Sequence, residues 1–469
     1  MTSRPPFYFD ARSCSGCKAC QVACKDKHAL PPGLLWRRVY EVQAGDGWQA
    51  QGAAWQLNLA VYNLSLSCNH CEDAPCVAGC PTRAMHFRSD GIVLVDPEKC
   101  IGCQYCAWLC PYGAPQYDPA AHCMTKCTLC CDQLDAGLPP ACVAACPLRS
   151  LEVEAGGRAF LQRHHTQQTP PLPPPELARP GLWIAPHPAG GRTPVQVVNG
   201  EETGQPPGSE APLAAFTVLA PLAVGVFIGL GWRWFWALPT AAGAARPVGP
   251  GPAAFLGPLL AMAVALGLSL AHLGRPAQAY RAIANLQTSW LSREVYFASL
   301  FAAGLALWLP AAAGSLGLAE VVFVLTSASG LGLVYAIGRV YRQRCIAAWD
   351  TQAVQWTFVL SMLGLGALAC RALLPGLGAA AQAGLGLVGW LALVLQLGLV
   401  SRLSRRAERL AGLKQPQPGW TAGWYLQCGL LLAVPALLWA GPSGAFAAAA
   451  AGLAAEFIGR LRFYRSRPA

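Results

Sequence analysis

Cysteine is the residue with most chemistry to offer in this chain, and it is unevenly placed. Eighteen of the 21 cysteines lie between Cys14 and Cys146. Sixteen of them fall into four groups. Cys14, Cys17, Cys20 and Cys24 follow a CxxCxxCxxxC spacing, and Cys100, Cys103, Cys106 and Cys110 repeat it. Cys68, Cys71, Cys76 and Cys80 form a looser version, and Cys127, Cys130, Cys142 and Cys146 one with a long middle gap. In the last three groups the final cysteine precedes Pro111, Pro81 or Pro147. Three closely spaced thiolates wrap one iron–sulfur cubane, and the fourth reaches the other cubane of a pair. The spacing predicts that this fourth cysteine starts a short helix, where a proline without an N–H is tolerated. Gly16, Ala19 and Gly102 leave room beside the thiols.

Sixteen thiolates make four [4Fe–4S] sites. The sharing rule pairs the first group with the fourth and the second with the third. Site 1 is then Cys14, Cys17, Cys20 and Cys146. Site 2 is Cys68, Cys71, Cys76 and Cys110, and site 3 is Cys100, Cys103, Cys106 and Cys80. Site 4 is Cys127, Cys130, Cys142 and Cys24. The competing chemistry is zinc, which prefers two short CxxC knuckles separated by a longer spacer. Four-cysteine runs ending in Cys-Pro fit that poorly. Cys123 and Cys131 are left over and read as small buried residues, and Cys345, Cys370 and Cys428 as packing residues.

The elements that must hold these groups divide the chain in three. Residues 1–163 read as a tandem ferredoxin-like α+β domain, with strand-like pieces at 35–42 and 91–95. Residues 164–212 contain twelve prolines and read as an extended connector. Residues 213–469 form an all-α membrane domain of eight spans. They run at about 213–231, 253–273, 295–313, 317–338, 354–374, 379–400, 420–440 and 443–461, each near the ~20 apolar residues that cross a bilayer. Small residues at Gly225 and Gly229, and at Ala328 and Gly332, suit close helix packing in lipid.

The net charge of +11 is not a nucleic-acid signal. Residues 1–212 carry 16 basic and 18 acidic side chains, whereas residues 213–469 carry 18 and 5. Fifteen of those 18 basic residues fall in the gaps after even-numbered spans and in the tail, among them Arg339, Arg402, Arg460 and Arg462. Only Arg233, Arg246 and Arg371 fall on the other side. Positive charge marks the cytoplasmic side of membrane proteins. With eight spans, both termini and the cysteine-rich domain are expected to be cytoplasmic. Nothing between Met1 and Cys14 resembles a cleavable export signal, so metal ligation is expected rather than a disulfide framework.

The segments CSGCKACQVACKDK (residues 14–27) and CIGCQYCAWLCPYGAP (residues 100–115) resemble the iron–sulfur subunit of the dimethyl sulfoxide reductase family. Residues 180–187 (PGLWIAPH) look like that subunit's tail, which implies an ordered segment lying on a partner. The membrane half is similar to the same enzyme's anchor subunit, through HLGRP (residues 272–276) and TSWLSRE (residues 288–294). The resemblance implies a separate molybdopterin-containing catalytic subunit, a bacterial cytoplasmic-membrane location and exchange of electrons with menaquinol or ubiquinol.

Quinol oxidation releases two protons with two electrons, so the ring oxygens need hydrogen-bonding and proton-accepting groups. The membrane domain has five acidic residues, Glu294, Glu320, Asp350, Glu408 and Glu456. Ionisable groups in lipid face a cavity or a partner. His272 closes the second span and Glu294 opens the third. The family's quinol site includes the matching histidine and the acid of the Ser-Arg-Glu run, which implies His272 and Glu294, with Arg275 and Arg293 in support. The residues themselves leave a plainer reading, a helix-capping histidine and an interfacial Glu294–arginine pair. Three functions remain in view: quinol oxidation feeding an S- or N-oxide reductase, the same module reducing quinone for a sulfite- or formate-type enzyme, and a zinc-rich membrane sensor or transporter.

Overall fold

A computed structural model of the chain describes residues 5–52, 54–154, 171–191, 195–198, 210–236, 252–314, 316–410 and 418–465. The chain divides into two units, Met1–Thr203 and Gly204–Ala469.

In the N-terminal unit, cysteines recur too often for long helices. Among the described residues there are five short ones: α1 (Ala19–Lys27), α2 (Pro75–Gly79), α3 (Tyr105–Leu109), α4 (Cys131–Asp135) and α5 (Ala141–Ala144). Helix α1 packs on α5, and α2 on α3. The second contact depends on Gly79, where any side chain would collide with Leu109. Strand β1 (Phe7–Asp10) is the centre of a three-stranded sheet, antiparallel to β8 (Leu151–Val153) and parallel to β9 (Leu182–Ala185). The two-residue period of a strand turns Phe7 and Phe9 into the core. A long hairpin of β2 (Arg38–Gln51) and β3 (Ala54–Leu66) carries β10 (Val195–Val197) on its edge. Two short hairpins complete the unit, β4 (Met85–Phe87) with β5 (Val93–Val95) and β6 (Gln116–Asp118) with β7 (Cys123–Thr125).

The proline-rich stretch is not the extended connector its composition suggests. Its described part folds back on the N-terminal unit. Leu182 and Ile184 enter the core beside Phe7 and Phe9, and Trp183 stacks on Tyr8 at 5.0 Å. The Ala178 and Arg179 carbonyls accept from the Asp73 and Glu72 N–H groups, next to Cys71. Prolines flank the alternating run at 182–185 rather than interrupt it, so a short strand survives in a composition that averages to linker. Residues 164–170 and 199–209 lie outside the described residues.

The second unit holds α6 (Ala211–Trp236), α7 (Leu256–Ala271), α8 (Trp290–Gly314), α9 (Leu316–Tyr341), α10 (Gln352–Leu373), α11 (Ala379–Leu410), α12 (Pro418–Trp439) and α13 (Gly441–Arg465). Among the described residues, eight helices are long and apolar enough to cross a membrane. Helices α6 and α10 are the centre, each packing on α9, α13 and the other. They approach backbone to backbone. A Cβ at Gly366 would lie 2.8 Å from the Gly225 Cα, and one turn on, a Cβ at Gly229 would lie 2.5 Å from Cys370 Sγ. Cys370 is accordingly a buried packing residue.

Two of the basic residues expected to mark one side of the membrane are buried inside the bundle. Arg460 and Arg462 belong to α13 and are buried, Arg460 bonding Glu456 at 2.8 Å and Arg462 bonding Gln427 at 2.9 Å. Arg371 closes helix ends instead of facing solvent, donating to the Gln382 and Leu438 carbonyls at 2.6 and 2.8 Å.

Replacing Gly225 by leucine forces α6 off Gly366 and Met362. Thermal unfolding of the detergent-solubilised protein is expected to shift down by the equivalent of about 1–3 kcal/mol of overpacking. Gly429→Leu, at a position with nothing within 4 Å, leaves the midpoint unchanged.

Candidate functional site

The thiols gather in four sets. Cys14, Cys17, Cys20 and Cys146 line one cavity with Phe9, Val39 and Ser65. Cys80, Cys100, Cys103 and Cys106 line another with Met85 and Met124. Cys24 faces Cys127, Cys130 and Cys142, and Cys76 faces Cys68 and Cys110, with Cys71 in the same core. Each set draws on two sequence groups. The α1–α5 contact joins the first group to the fourth, and the α2–α3 contact joins the second to the third. Four thiolates on one zinc ion would each lie about 2.3 Å from it. Among the described residues no three His, Cys, Asp or Glu side chains converge on a single ion, and two of the thiol sets line cavities.

The backbone explains how they do so. Gly16 and Lys18 flank Cys17, and Gly102 and Gln104 flank Cys103, all left-handed with φ of 72°, 61°, 69° and 59°. Such turns aim successive N–H groups at one point. A glycine carries the left-handed conformation without steric cost at Gly16 and Gly102. Backbone N–H groups elsewhere in the unit also reach sulfur: Leu129 N to Cys127 at 3.3 Å, Met85 N to Cys80 at 3.4 Å, Met124 N to Cys100 at 3.4 Å and Ala114 N to Cys110 at 3.5 Å.

The fourth cysteine of a group does not start a helix, as the spacing suggested. Cys80 and Cys110 end α2 and α3, with ψ of 116° and 114°. A following proline pushes its neighbour out of the helical region, so Cys-Pro terminates each helix. The next residues form a repeated β-turn, in which the N–H of Arg83, Gly113 or Arg149 donates to the carbonyl of Cys80, Cys110 or Cys146, with left-handed φ of 56°, 59° and 50°.

These pockets fit an iron–sulfur cluster. Burial pushes the Cys103 and Cys127 thiols up to about 12, and the Cys24, Cys76 and Cys106 thiols upward too. A thiol so placed becomes a ligating thiolate only against a positive centre. The sets also form a line. Cys20 of site 1 neighbours Cys142 of site 4, Cys127 of site 4 neighbours Cys68 of site 2, and Cys106 of site 3 neighbours Cys76 of site 2. Trp36 and Ala114 pack where sites 4 and 2 meet. Trp36 also contacts His28, whose Nε2 lies 3.4 Å from Cys130 Sγ. Cys123 is buried in β7 and Cys131 packs on the neighbouring core.

In the membrane unit, His272 caps the C-terminus of α7 and Glu294 lies in the second turn of α8, so both occupy the same end of the bundle. An eight-residue 3-10 segment, Pro276–Ile283, leads toward α8. Ser289 caps α8, its Oγ accepting the Ser292 N–H at 3.3 Å. Glu294 is 5% exposed and its Oε2 has no hydrogen-bond partner. His272 Nδ1 is buried without a well-formed hydrogen bond, the Ser269 backbone offering only a marginal one.

Arg293 turns away from Glu294. It donates to the Leu286 and Gln287 carbonyls at 2.9 and 2.7 Å and covers the Trp290 ring at 4.2 Å. Arg275 starts the 3-10 segment.

No local pattern signals what Glu294 faces. Tyr341 and Tyr464 are hydrogen-bonded to each other and within electrostatic reach of Glu294, and Tyr464 continues to Thr217 Oγ1 at 3.3 Å. Deeper lies a buried polar knot, in which Glu456 Oε1 accepts from Arg460 and Ser361 at 2.8 Å and from Gln396 at 2.6 Å. Three further cations, Arg37, Arg38 and Lys126, are buried in the N-terminal unit. Arg37 stands beside Arg38 and Lys126 before Cys127, a context that reads as surface charge.

Comparison with known proteins agrees with both halves. Residues 59–155 match a family model described as a 4Fe-4S dicluster domain, and residues 206–403 match the DMSO reductase anchor subunit (DmsC). The protein is 45% identical over 189 residues to the B subunit of the anaerobic dimethyl sulfoxide reductase of Escherichia coli, covering 40% of this chain and 91% of that one. It is 36% identical over 171 residues to a formate dehydrogenase iron-sulfur subunit of Wolinella succinogenes (32% and 80% covered). It is 38% identical over 164 residues to a thiosulfate reductase electron transfer subunit of Salmonella typhi (35% and 82% covered).

The adjacent pair Cys130 and Cys131 separates ligand from bystander. Cys130→Ala is expected to lower bound iron by one cluster, and Cys131→Ala to leave it unchanged, by iron analysis of the purified protein.

Proposed function

Because the chain belongs to the dimethyl sulfoxide reductase family, with the iron–sulfur chain and the membrane anchor in one polypeptide, we propose that it oxidises membrane quinol and passes the electrons through four [4Fe–4S] clusters to a separate molybdopterin catalytic subunit. This is a multi-pass membrane protein with iron–sulfur clusters, the electron-transfer and anchor module of a molybdoenzyme.

The clusters are assigned to the four thiol sets, and their order gives a wire from site 1 through sites 4 and 2 to site 3. The partner is expected to reduce an S- or N-oxide. The charge asymmetry supports a cytoplasmic N-terminal unit in a bacterial inner membrane.

The observation that carries the quinol site is the pair of buried, unsatisfied polar atoms at one end of the bundle, His272 Nδ1 and Glu294 Oε2. They are two of several such atoms in this unit, and a third, Gln278 Oε1, lies on the 3-10 segment that follows His272. A neutral imidazole accepts a proton from one quinol hydroxyl, and the Glu294 carboxylate accepts one from the other. Tyr341 and Tyr464 give Glu294 hydroxyl neighbours, and Tyr464 continues to Thr217. Arg293 orders the approach to α8 through Leu286 and Gln287, and Arg275 opens the same segment, so both position rather than transfer. With this end on the cytoplasmic side, the protons stay inside and the step itself builds no membrane potential.

EPR of membranes treated with dithionite and then with a reduced quinol analogue tests this. Quinol is expected to reduce clusters in the wild type. In His272→Ala and Glu294→Gln the rate is expected to fall about a hundredfold or more, the usual contribution of a proton acceptor, with dithionite-reducible clusters intact. Wild-type turnover in His272→Ala sinks the site. Clusters that quinol cannot fill, but that reduce added quinone, reverse the direction of flow.

A further inference from the structure

Arg37 and Lys126 are each 2% exposed, and neither has a carboxylate partner among the described residues. The Arg37 guanidinium donates to Ser65 Oγ at 3.1 Å, the Ser65 carbonyl at 3.3 Å and Ser67 Oγ at 2.9 Å, and lies 4.5 Å over the Phe7 ring. Lys126 Nζ donates to the Val93 carbonyl and to the Cys127 carbonyl at 3.0 Å. Neutral oxygens satisfy hydrogen bonds but not charge, and a buried charge without an opposite one is strongly unfavourable. The negative groups these cations face are thiols of the cluster sets. Arg37 faces Cys142, Cys127, Cys20 and Cys24, three of them in site 4 and one in site 1. Lys126 adjoins Cys127 of site 4 and acts on Cys76 of site 2.

We propose that Arg37 and Lys126 are fixed counter-charges of the cluster line, and that they raise the reduction potential of the cluster held by Cys24, Cys127, Cys130 and Cys142. This rests on the four-cluster reading. A cluster with four thiolates is anionic and gains one further negative charge when reduced, so a cation held nearby in a poorly screened interior favours the reduced form. Arg37 faces three thiols of site 4, and Lys126 joins site 4, through the Cys127 carbonyl, to site 2, through Cys76. The main charges facing Cys103 and Cys106 of site 3 are other cysteines. The line is therefore uneven, with its most easily reduced point inside it.

The test is an EPR-monitored redox titration of membranes holding the whole complex, comparing Arg37→Gln, Arg37→Lys, Lys126→Gln and Lys126→Arg with the wild type. Each neutral variant is expected to lower the midpoint of one or two of the four signals. The reduced-to-oxidised ratio at fixed potential falls about tenfold, ~59 mV for a one-electron couple. Arg37→Lys and Lys126→Arg return it toward the wild type. Neutral variants that keep four clusters at unshifted midpoints overturn the proposal. So does a shift as large in the charge-conserving variants, which assigns the effect to hydrogen bonds. Loss of clusters only in the neutral variants supports a required counter-charge, and loss in all four overturns it. A wild type without iron–sulfur signals fails the four-cluster reading itself.

Discussion

A thiolate in a protein interior needs something positive to face, and sixteen thiols, all but Cys17 buried or half-buried, impose that need on the whole N-terminal unit. Helices α2 and α3 are short because they end where Cys-Pro forces the chain to turn. Its loops are left-handed at Gly16, Lys18, Gly102 and Gln104 because N–H groups must converge on sulfur. The pairing of distant groups follows as well. Residues near Cys14 and residues near Cys146 are held together by the pocket they build, so the order of the chain is subordinate to the order of the sites.

The membrane unit answers a different version of the same constraint. Lipid offers no compensation to a polar group, so buried charge is gathered into the Glu456–Arg460–Ser361–Gln396 knot, where one carboxylate oxygen receives three donors. Glu294 is the contrast. It is as deeply buried, on a helix whose start is tied down by Ser289 and by Arg293 on Trp290, yet its Oε2 is left without a donor. The same bundle gives Glu456 Oε1 three donors and leaves Glu294 Oε2 with none.

Cysteine spacing carried the thiol sets, because ligand geometry is local and the cross-pairing follows from one sharing rule. Apolar length carried the eight helices. Composition misled at residues 164–212, since a four-residue strand such as Leu182–Ala185 is invisible in an average dominated by proline. The cysteine–proline step was placed at the wrong end of its helix, because a proline tolerated at a helix start also stops the helix before it. Arg460 and Arg462 looked like topology markers, since charge in sequence does not reveal whether a helix turns it inward. The Tyr341–Tyr464–Thr217 contacts join positions far apart in the chain, and Arg37 and Lys126 matter through burial, so neither had a local pattern to read.

Strand β9 has an implication for how the protein is made. It is parallel to β1 and supplies Leu182 and Ile184 to the core that encloses sites 1 and 4, so that core stays unfinished until residues beyond every cysteine group have left the ribosome. The first membrane helix begins soon afterwards, at Ala211. Closing the metal-binding core and delivering the chain to the bilayer thus fall in one short interval of synthesis. In a two-chain enzyme these events belong to separate polypeptides; here the fusion makes them compete for the same stretch of time.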